Sequence, residues 1–222
     1  MTNLPFQVQR FAELIHWYGG LRAQRDVPPR LYALVDGALC EDMLHLVEAR
    51  GADWGCLYSE AMLEAASPAV GPYLIELTPE DASHAALMRA LLRHSEHADL
   101  VLWVASTVPL ARLCAYFHQY AEVELPDRRE ALLRYYDPMI LETLLAAFTA
   151  EQRDHFLAPF HELRYWHDDW KTINGGAYAE LPTPISERIV LTSDQQERLA
   201  MATLAESIYF ELRKDLLPPL SD

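Results

Sequence analysis

The 222-residue chain carries 33 acidic against 18 basic side chains, a formal net charge of −15, and 51% of its residues are apolar. At this length about 70% of the unfolded surface is buried on folding, so the composition describes a globular chain with its own core, not a disordered, repetitive or disulfide-stapled one. The charge balance repels phosphate backbones and anionic headgroups, and the adjacent Arg128 and Arg129 are flanked by Asp127 and Glu130, so neither nucleic acid nor membrane is expected as a partner.

The first residues, Met1 to Phe11, lack a basic region followed by an apolar run, and no later stretch has the uncharged length of a bilayer span. A cytoplasmic location is the expectation. Phe11, Leu14, Ile15 and Tyr18 recur at helical spacing, which predicts a helix over about residues 5–18, ended by Gly19 and Gly20. Four short apolar runs follow, at 31–35, 55–58, 73–77 and 100–104, several apolar on both faces. They read as strands covered by helices above and below.

Helix signals stand between and after them. Thr78-Pro79-Glu80-Asp81 reads as a hydroxyl N-cap, a proline in the first turn and two acids, ahead of Leu87, Met88, Leu91 and Leu92. Ser106 and Thr107 precede Pro109, after which Leu110, Leu113, Cys114 and Phe117 fall at i, i+3, i+4 and i+7. Alternating strands and helices predict an α/β domain.

Residues 122–136 read as a hairpin around Pro126-Asp127, and a register centred on Arg128 sets Val123 opposite Leu133 and Glu122 opposite Arg134. Tyr135 and Tyr136 then alternate in the second strand and point to opposite faces. Asp137 before Pro138 is the pattern of an N-cap and a first helical residue, opening a helix with Ile140, Leu141, Leu144, Leu145 and Phe148. Thr149 and Gln152 form a capping box for a short helix closed by Pro159. Residues 161–170 fit a strand or a loop, and 174–185 form a turn-rich connector beyond which a second lobe, if there is one, begins. Thr192 and Gln195 make another capping box, for a helix from about Ser193 to Leu217 striped by Met201, Leu204, Ala205, Ile208, Leu212 and Leu216.

Few constellations offer chemistry. Asp36-Gly37 ends a strand pattern, where α/β enzymes place catalytic carboxylates, but no second acid lies two residues on and no glycine-rich phosphate loop follows. Asp36 is therefore read as a turn residue, with a hydrolase or phosphotransfer enzyme using it as the alternative. Gly51 and Gly55 fail the dinucleotide pattern, and no G-x-S-x-G elbow is present. His155, His161 and His167 recur every six residues, a spacing that converges neither on a helix nor on a strand, so no metal site is expected. Cys40, Cys56 and Cys114 are odd in number and sit among apolar residues, as reduced core thiols. Asp137 already has a capping task, so the Tyr135-Tyr136-Asp137 run is read as a junction. No catalytic residue and no cofactor is assigned.

The order of motifs is nonetheless specific: LYALVDGA at 31–38, CLYSE to VGPYLIEL across 56–77, VELPDRREALLRYYDPMIL at 123–141 and LAPFHELRYW at 157–166. Over residues 31–166 it resembles the effector chaperone/adaptor family of bacterial type VI secretion, long catalogued as a domain of unknown function (DUF4123, Tap/TEC type). The resemblance implies a non-enzymatic adaptor that binds a secreted effector in the cytoplasm and promotes its loading onto the VgrG spike, with RYYDP as a fold-defining junction. The fold expected from the predicted elements is α/β, a mixed sheet flanked by helices with a mainly helical C-terminal part. The organisation expected is an N-terminal helix (1–30) packed on the domain, an α/β domain (31–166), and a connector with the C-terminal helix (167–222). That last helix, through Met201, Leu204, Ile208, Tyr209, Phe210 and Leu212, is read either as core or as the wall of a client-binding groove.

Overall fold

Leu14, Tyr18 and Leu21 are all buried and lie four and three residues apart, which gives the first helix an apolar ridge along its length. This helix, α1 (Phe6–Ala23), does not end at Gly19-Gly20. Two glycines cost about 1 kcal/mol each against alanine, and burying Leu21 returns about 2 kcal/mol; the Arg25 guanidinium also donates to the Leu21 carbonyl (3.1 Å) and the Tyr18 hydroxyl to that of Pro29 (2.9 Å). The computed structural model describes residues 6–39, 42–58, 62, 70–94, 101–176, 181–182 and 188–216, excepting the side chains of Phe6 and of 205–216.

The elements that follow are β1 (Arg30–Asp36), α2 (Met43–Ala49), β2 (Trp54–Cys56), β3 (Pro72–Leu77), α3 (Ala82–His94), β4 (Val101–Ser106) and α4 (Leu110–Ala121). Next come β5 (Glu122–Glu124), β6 (Glu130–Leu132), α5 (Pro138–Ala147), α6 (Ala150–Leu157), β7 (Glu162–His167), β8 (Asp169–Asn174), β9 (Ile189–Val190) and α7 (Ser193–Leu216). A six-stranded sheet has the order β2-β3-β1-β4-β7-β8, and a three-stranded one the order β6-β5-β9. The chain is α/β, as the alternation of elements predicts. Neighbours in the larger sheet pair antiparallel; the mixed pairing lies in the smaller one, where β5 runs parallel to β9.

The central strand explains the apolar runs. Leu34 pairs with Leu74 on one side and Leu102 on the other, and side chains alternate between faces. Tyr32 and Leu34 join a core with Leu113 and Phe117 of α4 and Leu144 of α5. Leu31, Ala33 and Val35 join a second core with Leu14, Val47 and Leu87 from α1, α2 and α3. Both faces are covered, so no polar alternation survives in these strands.

Local capping moves some boundaries. α3 starts later than its Thr78-Pro79 signal predicts, because the Asp81 carboxylate accepts from the Ser83 (2.7 Å) and His84 (3.0 Å) amides, a stronger cap than a hydroxyl. The Thr78 amide donates instead to His84 Nδ1 (3.0 Å). The capping boxes at Thr149–Gln152 and Thr192–Gln195 form as predicted.

The β5–β6 hairpin differs in register from the prediction. Its loop closes with Arg128 at φ 66°, the Arg128 amide donating to the Leu125 carbonyl and the Leu125 amide to that of Arg129 (both 2.8 Å). Val123 therefore faces Ala131 and Glu122 faces Leu132. A shift of two residues preserves the buried face, so Val123 and Leu133 both stay in the core. It also takes Arg134 away from Glu122, whose cation is Arg188 (3.1 Å), itself paired as well with Glu130. Tyr135 and Tyr136 lie in a turn beyond the strand, not within it, and both are buried.

Residues 161–170 resolve into the β7–β8 hairpin, which turns on Asp168 at φ 58° and extends the main sheet past β4. α1 is fastened over it: Trp17 Nε1 donates to Glu162 (2.6 Å), Trp170 Nε1 donates to Glu13 (2.8 Å), and the Arg10 guanidinium lies 4.2 Å from the Trp166 ring centre. Gly175 ends β8 where a Cβ would meet the Phe160 carbonyl oxygen at 2.1 Å, so no larger residue fits that approach.

Candidate functional site

The RYYDP stretch and the DGA stretch, about a hundred residues apart in sequence, meet at one guanidinium. Asp36 Oδ1 accepts from the Ala38 amide (3.0 Å) and Asp137 Oδ1 from the Met139 amide (2.9 Å). The second oxygen of each faces Arg134 Nη2, at 3.3 Å and 2.7 Å. Both carboxylates are buried. Burial raises the Asp36 carboxyl above the ordinary carboxylate range, opposed by the Ala38 amide and by Arg134. Asp36 therefore ends β1, Asp137 opens α5, and the two share a cation. Tyr136 adds a hydroxyl contact to Tyr58 (3.2 Å), and Tyr135 stacks on Phe117 with ring centres 5.1 Å apart. Asp137 is the N-cap at the junction, as read from the sequence, whereas Asp36, read as a turn residue, is the last residue of β1, and its carboxylate accepts an amide of the turn that follows.

Arg134 also borders an apolar groove of about 260 Å³. Its floor is the small sheet and the start of α5, through Val123, Ala131, Leu133 and Ile140; its far wall is α7, through Leu199, Ala200 and Thr203. The amphipathic spacing of α7 thus builds a wall, with Gln196, Leu199, Ala200 and Thr203 at i, i+3, i+4 and i+7. Gln195, buried, fixes the base of this helix: its amide nitrogen donates to the Ala147 carbonyl (2.8 Å) and to Gln152 Oε1 (2.9 Å).

Of the α7 residues named from the sequence, Met201 is 63% exposed and Leu204 55%. Neither is core, and neither lines the groove, whose wall is offset from that stripe. The side chains of Ile208, Tyr209, Phe210 and Leu212 lie outside the described residues. Sequence reasoning missed Leu199, Ala200 and Thr203 because the stripe was drawn from Met201 onward, on a face offset from the one that lines the groove. It missed the double role of Arg134 because the hairpin register assigned that cation to Glu122.

The three evenly spaced histidines are spread apart by the fold. Tyr116 donates to the His155 carbonyl, the Tyr120 hydroxyl lies 2.5 Å from His155 Nδ1, and His161 Nδ1 accepts from Arg25 Nε (3.1 Å). His167 lies by a shallow depression with Glu142 and Tyr165. Among the described residues no three His, Cys, Asp or Glu side chains converge as metal ligands. Cys114 is buried, its thiol pushed up to about 12 by burial, and Cys56 is half-buried; both are free. Cys40 lies outside the described residues. Among the described residues no helix is long and apolar enough to cross a membrane.

A family described as Domain of unknown function (DUF4123) matches residues 31–155, more than half of the 222. The chain belongs to the DUF4123 family. That family is associated with adaptors of type VI secretion effectors. No curated protein and no solved structure matches the chain. The DUF4123 segment contains Asp36, Arg134 and Asp137, and it contributes the floor of the groove; α7 lies beyond it.

Proposed function

We propose that this DUF4123 protein is a non-enzymatic adaptor, or chaperone, that binds one type VI secretion effector in the cytoplasm and promotes its loading onto the VgrG spike. The observation that supports the reading is the apolar groove between the family domain and α7, because a chaperone that shields an exposed client segment needs an apolar surface of its own. The state of Asp36 supports it further. An acid with one oxygen on the Ala38 amide and the other toward Arg134, its side chain 7% exposed, is poorly placed to take a proton from a substrate. Neither nucleic acid nor membrane belongs in this reading, given the net charge of −15.

The test is co-expression of the tagged chain with a type VI secretion effector and a VgrG protein from the same genome. The effector should co-purify with the chain in the absence of the spike and pass to VgrG when the spike is added. An effector that remains soluble, stays apart from the chain and reaches VgrG unaided would contradict the adaptor role.

A further inference from the structure

We infer that the groove receives a cationic amphipathic helix of the client, and that the α7 wall, at Leu199, Ala200 and Thr203, selects which client is held; the inference rests on the adaptor reading above. Size comes first. Pockets for small molecules and cofactors run to roughly 300–1,000 Å³ with a few convergent polar groups, whereas this groove, at about 260 Å³, lies at the bottom of that range and is lined mainly by apolar side chains. It suits a few side chains of a polypeptide better than a whole ligand. Shape gives the form of that polypeptide. Gln196, Leu199, Ala200 and Thr203 make a straight ridge about 10 Å long, two helical turns, with small residues where a second helix packs closely into the groove of the first.

Charge decides between occupants. The arginines around the groove and its small sheet stand against carboxylates, Arg134 against Asp36 and Asp137, Arg188 against Glu122 and Glu130, Arg129 against Asp127 and Arg198 against Asp194. With Arg128 counted as well, the carboxylates of this region still outnumber its arginines, Glu124 and the exposed Glu197 of α7 among them. The chain as a whole carries −15. A second copy, or an acidic helix, meets like charge, while a helix with Lys or Arg flanking its apolar ridge meets opposite charge. Apolar side chains continue around the site, with Leu132 42%, Met201 63% and Leu204 55% exposed, so such a helix finds apolar contact beyond the groove as well.

The division of the groove assigns selectivity. Its floor, at Val123, Ala131, Leu133 and Ile140, lies inside the DUF4123 segment at 31–155, and its α7 wall lies outside it. A shared floor with a separate wall lets one fold hold different clients by changing a few side chains on one helix.

The experiment uses the full chain and two fluorescein-labelled peptides of about 18 residues, five helical turns, with the same leucine ridge flanked by lysine in one and by glutamate in the other. Anisotropy should show the lysine peptide binding at least about tenfold more tightly, and more weakly as salt rises. Ala200 and Thr203 are exposed, so Ala200→Trp and Thr203→Trp fill the groove from its lip, and each should weaken the lysine peptide about tenfold with unchanged melting. If one variant misfolds, the other carries the test. Equal affinity for both peptides, no binding of the lysine peptide, or Trp variants that bind like the wild type would each overturn the inference. So would a wild-type dimer in sedimentation that the Trp variants dissolve, which would make the occupant a second copy. Co-expression with the effector separates the two levels: retention by wild type and Trp variants alike leaves the adaptor standing and removes the groove, whereas no retention by the wild type removes the adaptor reading itself.

Discussion

Gln195 donates its side-chain amide to Gln152 Oε1 at 2.9 Å, so the third helical residue of one capping box grips the third helical residue of the other. The Gln152 oxygen also accepts the Thr149 amide, and the Gln195 oxygen accepts the Thr192 amide (both 2.9 Å). Two helix starts and, through the Ala147 carbonyl, one helix end are fixed by two side chains. This sets where α7 stands relative to α5 and hence the width of the groove.

Gln195→Ala should cost about 2 kcal/mol, since it removes a cap and leaves the Ala147 carbonyl short of its donor. Gln195→Glu should cost more than alanine at neutral pH, because its carboxylate faces two acceptors, and should recover part of the loss as the acid protonates and regains a donor. Urea denaturation of the three proteins at neutral and mildly acidic pH measures the order; a glutamate variant as stable as the wild type would contradict the bridge.

Arg134→Met should destabilise the fold by about 2 kcal/mol, less than the 3–5 kcal/mol of a fully buried pair because the Arg134 side chain is 34% exposed. Two buried carboxylates then lose their cation. Combining it with Asp36→Asn should cost less than the two single changes added, since the neutral amide still accepts from Ala38. Additive costs in a double-mutant cycle would mean that the contact is incidental.

The raised pKa of Asp36 gives a signed pH effect. Its carboxyl binds a proton more readily folded than unfolded, so its contribution favours folding below the ordinary value of 3.8 and is lost as pH rises through the higher folded pKa. Asp36→Asn lacks this loss. The stability of the variant minus that of the wild type should therefore grow as pH rises from about 4 to 7, measured by denaturation at stepped pH. A difference that shrinks over the same range would contradict burial as the dominant influence.

Asp137→Ala removes both the cap of α5 and a partner of Arg134, and should cost about 2 kcal/mol. Asp137→Ser restores the acceptor for the Met139 amide but not the ion pair, and should recover about half. Melting curves of the three proteins test this; a serine variant no better than alanine would place all of the effect in the ion pair.

Sequence periodicity made the fold legible where burial is two-sided. The runs at 31–35, 73–77 and 100–104 became β1, β3 and β4 because both of their faces are covered, and the capping boxes at Thr149 and Thr192 formed because they act within one turn of helix. What was illegible depended on contacts made across the chain. The burial of Leu21 carries α1 through its glycines, the left-handed Arg128 resets the hairpin, and the freed Arg134 goes to two acids, one of them in a distant strand. The groove was visible only as the amphipathic pattern of α7; its lip of Leu199, Ala200 and Thr203 depends on how that helix docks on α5, which Gln195 decides.

The central claim, that the client lies between the small sheet and α7, is tested most directly by amide hydrogen exchange of the chain alone and in complex with its effector. The account predicts that protection gained on binding concentrates in residues 196–203 of α7 and in 131–134 beside it, with the α1 face of the main sheet unchanged. Protection confined to that α1 face, with 196–203 exchanging as in the free chain, would contradict it.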